Sequence, residues 1–470
     1  MPFALPILGG IGAGVAGFFG VSLLATSLTA ILIGGVIVVG ASLLMRKMMS
    51  RQQADPGMLI NKNSNNDPIP IVYGERRVGA TRTFVRSAGA TGGAGHEYLH
   101  IVYTICEGPI QSIQKIYFND VEVWDVSTGI ATSAGEDNIN YTGLLEITNH
   151  LGSTTETADA NLVARFPSEW TSNHRGRGIA YSYIRMKYNR DAFGGLPTVT
   201  FLVRGRKVRD VDNTGAAEAY STNPANILYD YLTHPIYGRG FPASLIDITS
   251  FQDAKDYYNL THTYLGAAKY TINGALASDD NTYDNVQKIL ASCNSALIFS
   301  NGVYKLLPFK VANSTDTITD SHIVDSWSMS FGDKTRRFNT IRVSFANIED
   351  DYQQGAITVD NSTFKADDNN LLLKKDINFD LVVDPDRAKL LAYELLMQSR
   401  YQTTIELTLP HVKQTLEPMD VITFEHSQIT DQVPTLYRVL DIQLRSDGTV
   451  KIIAQEYNAA VYTEVDPDTL

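Results

Sequence analysis

The residues whose spacing most suggests chemistry are His96, Glu97 and His100, which form the pattern HExxH. On a helix this spacing places both imidazoles on one face, where they bind zinc while the glutamate acts as general base. Here the pattern follows a glycine-rich run, GATGGAG, and continues directly into IVYTI. That context predicts a strand, in which residues four apart stand roughly 13 Å from each other. We therefore expect two partly exposed histidines on a strand and no metal.

Two other patterns are typical of cofactor or redox sites, and neither has the context it needs. Residues 12–17 match GxGxxG, but a dinucleotide site needs a carboxylate about 20 residues further on. The next acidic residue is Asp55, so glycine for close helix packing explains the pattern better. Cys106 and Cys293 form no CxxC pair, and we expect two buried free thiols. The sequence therefore predicts no catalytic residue, no metal and no cofactor.

The first 45 residues contain no charged side chain, and this run is long enough for two membrane-spanning helices. Small residues recur at four-residue intervals, which lets apolar helices approach closely. Basic residues follow at Arg46, Lys47 and Arg51, as at a membrane interface. A buried pair of core helices is the alternative to a segment in lipid or in a protein channel. The residues expected to form this segment are Gly10, Gly14, Gly17, Gly20, Phe18, Phe19, Leu23, Leu24, Ile31 and Ile33.

Composition excludes some classes of protein. Of the 470 residues, 44% are hydrophobic and 19% are charged, which excludes wholesale disorder. The 24 tyrosines and 18 phenylalanines favour β structure. A formal net charge of −12 argues against tight binding to phosphates, and hence against sequence-specific binding of nucleic acid.

The predicted secondary structure, which must position the residues discussed above, indicates an α+β fold that is mostly β. Turns are predicted at Asn119-Asp120, Asn301-Gly302 and Asp447-Gly448, and helix starts at Asn223-Pro224, at Ser250 with Asp253, and at Asp384-Pro385. The predicted domains are an apolar helical segment 1–50, a linker 51–67, a first β domain 68–220 with a loop-rich insertion at 126–178, a helical and mixed domain 221–320, and a second β domain 321–470 with one helix at about 385–400.

Four stretches in this order resemble the hub portion of the tip attachment (host-specificity) proteins of lambda-type phages. The stretches are YLHIVYTICEGPIQSIQKIYFNDVEVW, NPANILYDYLTHPIYGRGFP at 223–242, TRRFNTIRVSFANIEDDYQ at 335–353, and LEPMDVITF followed by LYRVLDI and VKIIAQEYNAAVY. The resemblance covers most of residues 68–465. The apolar first 50 residues depart from it and look instead like the tail of the small assembly protein encoded beside the lambda tip protein.

The resemblance implies a fold similar to the T4-type baseplate hub, in which tail-tube-like β-barrel domains and smaller α/β domains form a trimer. It implies a structural, non-enzymatic hub that caps the tail tube and opens for DNA ejection. Expected partners are two further copies, a distal tail or tail-tube protein, the tape measure protein, a separate receptor-binding fibre or tip protein, and the host membrane. The expected location is the virion tail tip, after assembly in the host cytoplasm.

Two other functions stay open on the sequence alone. The same apolar segment and β domains would suit a membrane-anchored surface adhesin or a component of a secretion machine. The histidines at His96 and His100 would suit a zinc peptidase used during host penetration.

Overall fold

The computed structural model of the chain describes residues 59–62, 67–131, 139–332, 336–429 and 434–470. It is mostly β with six helices in the described ranges. The first two sheets come from residues 61–220. The first sheet has the order β1 (Asn61–Lys62), β4 (Ala80–Ala88), β5 (Tyr98–Glu107), β10 (Ile179–Lys187) and β9 (Leu145–His150). The second contains β12 (Ala219–Tyr220), β11 (Val199–Val208), β6 (Ile110–Phe118), β7 (Val121–Asp125) and β8 (Gly129–Ile130), with β3 (Glu75–Val78) on β11.

The remaining strands form two pairs and two further sheets. The pairs are β2 (Ile71–Tyr73) with β13 (Gly274–Leu276), and β14 (Ser295–Ser300) with β15 (Val303–Pro308). The six-stranded sheet runs β16 (Ser314–Ile318), β22 (Val421–Phe424), β23 (Thr435–Leu444), β24 (Val450–Glu456), β21 (Thr404–Leu409) and β17 (Trp327–Ser330). The three-stranded sheet runs β19 (Gln353–Asp360), β18 (Thr340–Asn347) and β20 (Lys374–Phe379).

The helices lie between and beside these sheets. They are α1 (Ala160–Arg165), α2 (Pro224–Thr233), α3 (Ile248–Asn259), α4 (Thr282–Ala291), α5 (Ser362–Asp367) and α6 (Pro385–Gln398). Helices α2, α3, α4 and α6 share the largest hydrophobic core with the three-stranded sheet. The helical middle of the chain is therefore packed against part of the sequence that follows residue 321.

Most of the locally encoded elements are confirmed. The predicted turns at Asn119-Asp120, Asn301-Gly302 and Asp447-Gly448 connect antiparallel strands. Asn223 and Asp384 cap α2 and α6, and each helix begins with proline. Cys106 and Cys293 are free and buried, as expected.

Some predicted boundaries were wrong. Helix α3 is capped by Asp247, whose side chain accepts from the Thr249 amide, and not by Ser250. Ser250 instead bonds the Asp247 carbonyl and the Leu306 amide, so it joins the helix to β15. The range 126–178, predicted as loop-rich, contributes β9 to the first sheet and also carries α1. Residues 321–470 contain the short α5 besides the predicted α6.

The predicted tail-tube-like barrels do not appear as closed barrels in the described ranges, because every sheet there ends in two edge strands. The first two sheets instead share one core, to which β5 contributes Ile101 and Tyr103 and β11 contributes Phe201. Two sheets that bury their inner faces against each other need no closure to exclude water.

None of the helices described is both long and apolar enough to cross a membrane. The predicted apolar segment 1–50 lies outside the described residues.

Candidate functional site

The strand predicted from Tyr98 is confirmed as β5, but His96 and Glu97 precede it, so the expectation that both histidines lie on a strand was wrong for His96. His96 is exposed in the preceding loop, with its Nδ1 3.2 Å from the Ser87 hydroxyl. His100 is in the strand and fully buried, with its Nδ1 2.8 Å from the Tyr183 hydroxyl, so the expectation of partial exposure was wrong for this residue. The two imidazoles have separate partners. No group of three or more His, Cys, Asp or Glu side chains in the described residues is placed to hold a metal ion.

His100 belongs to a polar chain on the outer face of the first sheet. The Tyr183 hydroxyl accepts from Arg165 Nη1 at 2.7 Å and lies 2.8 Å from His100 Nδ1. Arg165 also bonds both oxygens of Glu146, at 2.8 and 3.0 Å, and Arg185 reaches the same carboxylate at 2.7 Å. Burial lowers the pKa of His100, and the Arg165 and Arg185 cations lower it further. The imidazole is therefore neutral at physiological pH.

Residues 151–178 lie over this face, and we call them the cover segment. They run from β9 to β10 and carry α1, whose Leu162 is fully buried. Phe166 contacts His100 and Phe84 edge-on, at 5.0 and 5.4 Å between ring centroids. Trp170 packs on Phe84 at 5.6 Å. The outer face of the first sheet is thus buried beneath aromatic side chains and ion pairs.

A second polar cluster joins the first β region to the three-stranded sheet, and we call it the seam. The Tyr352 hydroxyl donates to Glu75 at 3.1 Å, and Arg204 bonds the same carboxylate at 2.8 Å. Arg77 is 1% exposed and donates to the Asp351 carbonyl and the Thr200 hydroxyl. Asp351 and Tyr352 both have positive φ, 47° and 62°, a backbone conformation that residues other than glycine seldom adopt. Contacts across the seam hold this strained turn in place.

A third cluster supports a loop at residues 234–242, which we call the display loop. The Tyr237 hydroxyl donates to buried Asp230 at 2.7 Å, and its ring is stacked on His234 at 3.8 Å. Burial lowers the pKa of His234 to about 4, so this ring is neutral. A Cβ on Gly238 would lie 2.0 Å from the Tyr231 carbonyl oxygen, so only glycine fits there. These contacts fix the conformation of the display loop on its buried side.

The outer side of the display loop is apolar and exposed. Ile236 at its tip is 80% exposed, and the neighbouring Pro235 is exposed as well. A cavity of about 230 Å³ lies beside it, lined in part by His234, Pro235 and Phe241, with Arg209 and Glu218 at its polar wall. A rigid apolar tip beside a cavity suits contact with another protein.

The site residues predicted from sequence lie outside the described residues. They are Gly10, Gly14, Gly17, Gly20, Phe18, Phe19, Leu23, Leu24, Ile31 and Ile33, with Arg46, Lys47 and Arg51 at the basic end. Sequence reasoning missed the seam and the display loop. The only available signal was the stretch HPIYGRGFP, which has the proline and glycines of a constrained loop.

Comparison with known proteins gives three likenesses. Residues 281–441 match a family model described as a putative phage tail protein. The baseplate hub protein pb3 of Escherichia phage T5 is 26% identical over 319 residues, which is 63% of this chain; the match spans about a third (33%) of pb3. A chain in the virion of a native gene transfer agent particle superposes with a TM-score of 0.64 at 14% identity, covering 98% of this chain and 99% of that one. That last likeness establishes the fold. In sequence, the chain is thus similar to phage tail proteins and to a baseplate hub protein.

Proposed function

We propose that this protein is the structural hub at the tip of a long-tailed phage tail. Three copies cap the tail tube, contact the end of the tape measure protein and open for DNA ejection into the host. The observation that carries the proposal is the sequence likeness to a baseplate hub protein over 63% of the chain. The four stretches that resemble lambda-type tip attachment proteins support the same assignment, and we propose that residues 68–465 are hub domains of that type.

The described surfaces suit assembly better than catalysis, and we propose that the protein is not an enzyme and needs no cofactor. His100, the second histidine of the HExxH pattern, is buried and bonded to Tyr183. The anchored display loop presents Ile236 to solvent, as an assembly contact would. We propose that its partner is another hub copy or the adjoining distal tail or tail-tube protein. A separate fibre or tip protein would then bind the receptor.

The proposed location is the tail tip of the virion, reached by assembly in the host cytoplasm. Two buried free thiols suit synthesis in a reducing compartment.

The oligomeric state and symmetry test the proposal. The purified chain should have three times the 51.8 kDa mass of one copy, measured by mass photometry or light scattering. A cryo-EM map of the tail tip should place it coaxially with the tube and in threefold symmetry. A sixfold ring in that map, or the chain's absence from purified virions, would refute the hub assignment.

A point variant tests the display loop within the same assay. Ile236→Asp should leave folding intact, because the side chain is 80% exposed and surface changes typically cost within about 0.5 kcal/mol. It should nevertheless reduce assembly, since a charge would be buried at the contact. Ile236→Leu is the matched control and should assemble normally. If Ile236→Asp assembles as the wild type does, the display loop is not part of the interface.

A further inference from the structure

The cover segment begins immediately after His150, the last residue of β9, and the same histidine bonds back to it. Its Nδ1 lies 3.1 Å from Glu156 Oε1, and its Nε2 lies 2.9 Å from Asp159 Oδ2. The ring is stacked on Tyr181 of β10, with centroids 4.3 Å apart and planes 9° from parallel. Both ring nitrogens can donate at once only when the imidazole is protonated. This geometry therefore selects the charged form.

The three charged groups are shielded from solvent. The exposed fractions of the side chains are 11% for His150, 18% for Glu156 and 1% for Asp159. Burial alone would lower the pKa of His150, but the hydrogen bonds and charges of Asp159 and Glu156 together raise it above its ordinary value. The proton on His150 is thus stabilised by the cover segment itself.

Asp159 connects His150 to the rest of the cover segment. Its other oxygen, Oδ1, caps α1 by accepting from the Leu162 amide at 2.8 Å. Leu162 is buried beneath the segment, and Arg165 at the end of the same helix reaches Glu146 of β9. Loosening Asp159 therefore loosens the first turn of α1 and the side chains that α1 places on the sheet.

We propose that His150 is a proton-operated clip that holds the cover segment on the first sheet, so that the segment opens more readily as pH rises. The sign follows from linkage: a group whose folded-state pKa is raised contributes stability that is present at low pH and is lost as pH rises through that pKa. This inference is independent of the hub function, because it concerns an equilibrium within one copy.

Several other titratable or charged groups lie near the clip. Those facing His150 are Glu156, Asp159 and Tyr181, and burial raises the pKa of the Tyr181 hydroxyl far above neutrality. Arg177 donates to the Glu156 carbonyl from the far end of the segment and stays charged throughout. His100 on the same face is neutral above about pH 6.5, because its pKa is lowered. We therefore compare the protein at about pH 6.5 and about pH 9, and use variants to assign the difference to His150.

Hydrogen exchange of the full-length protein measures the opening. The probes are the amides of Leu162, Val163 and Phe166, which are bonded within the N-terminal turn and body of α1. After correction for the intrinsic pH dependence of exchange, their rates should rise by about tenfold for each unit by which the His150 pKa is raised. Amides of α2 serve as the reference and should show no such rise.

Two variants decide whether His150 is responsible. In His150→Gln, the α1 amides should exchange rapidly at both pH values, so that the rise in rate with pH is lost. In Glu156→Gln, the rise in rate with pH should be smaller than in the wild type. His174→Gln is the matched control, because His174 lies in the same segment but bonds the Thr171 amide at 2.9 Å. The proposal is overturned if the wild type shows no rise with pH, if His150→Gln keeps the wild-type rise, or if His174→Gln abolishes it.

Discussion

Asp230 lies beneath the display loop and is 5% exposed. Its Oδ2 accepts from the hydroxyls of Tyr73 and Tyr237, each at 2.7 Å, and Arg206 Nε lies 3.4 Å away. The carboxylate thus joins three separate parts of the chain, namely β2, β11 and the loop after α2. At the scale of single residues, buried carboxylates of this kind, together with Glu75 at the seam, hold distant parts of the sequence together.

Replacing Asp230 by alanine should destabilise the protein by about 3–5 kcal/mol, because it leaves a buried arginine without its carboxylate. Arg206 is 3% exposed and the two tyrosine hydroxyls would lose their acceptor. Chemical denaturation followed by circular dichroism measures the change. Asp212→Ala is the control, since that carboxylate is 51% exposed and bonds only at the surface, and it should cost about 1 kcal/mol or less. Equal losses for the two variants would contradict the argument.

At the scale of elements, the parts of the fold that could be predicted are those encoded by a few neighbouring residues. The hairpin at Asn301-Gly302 needs two left-handed residues, and both have positive φ. The cap and proline at Asp384-Pro385 likewise specify a helix start within one turn. Helix α3 was misplaced by three residues because Asp247 and Ser250 are both acceptable caps, and only the contact of Ser250 with β15 distinguishes them.

Asp384 offers a test at this scale, because α6 packs against the three-stranded sheet in the largest core. Its Oδ1 accepts from the amides of Asp386 and Arg387, each at 3.0 Å. Asp384→Ala should therefore lower the free energy of unfolding by about 1–2 kcal/mol. Asp386→Ala, which removes a half-exposed carboxylate from the first turn of α6 but not the cap, should cost less than about 0.5 kcal/mol. Denaturant midpoints of the two variants check the difference, and a larger loss for Asp386→Ala would contradict it.

At the scale of the whole molecule, sequence reasoning reached the mostly β architecture and the hub likeness but not the contacts between regions. The Tyr352 hydroxyl and Glu75 are 277 residues apart, and no local pattern pairs them. Closure of a sheet is likewise a long-range property, so residue patterns could not test the barrels that the resemblance implied, and the described ranges contain open sheets that share a core. The strand from Tyr98 was predicted correctly because the alternation of neighbouring residues specifies it. The burial of His100 depends instead on the cover segment, some 60 residues later.

The last prediction concerns the uncharged segment Phe3 to Met45, which we propose moves when the tail tip opens. In water, each exposed Leu, Ile or Phe costs about 1.5–3 kcal/mol, so such a run needs shelter before infection. We propose that three copies pack along the hub axis through their small residues, Gly10, Gly14, Gly17 and Gly20, and close the channel. Lipid is the most favourable surface once that shelter is lost, and Arg46, Lys47 and Arg51 would then lie at the headgroups.

If this packing occurs, replacing Gly14 and Gly17 together by leucine should block the close approach of the three segments, so that virions leak DNA or lose infectivity. Leu32→Ile is the matched control, because it keeps the volume and hydrophobicity of the segment and leaves the small residues in place. Particle yield, retained DNA and plating efficiency are the measurements. If the double variant assembles, keeps its DNA and infects as well as the control, the segment neither packs through these glycines nor closes the channel. Infectivity lost with normal DNA retention would instead assign the glycines to the later step, when the segment meets lipid.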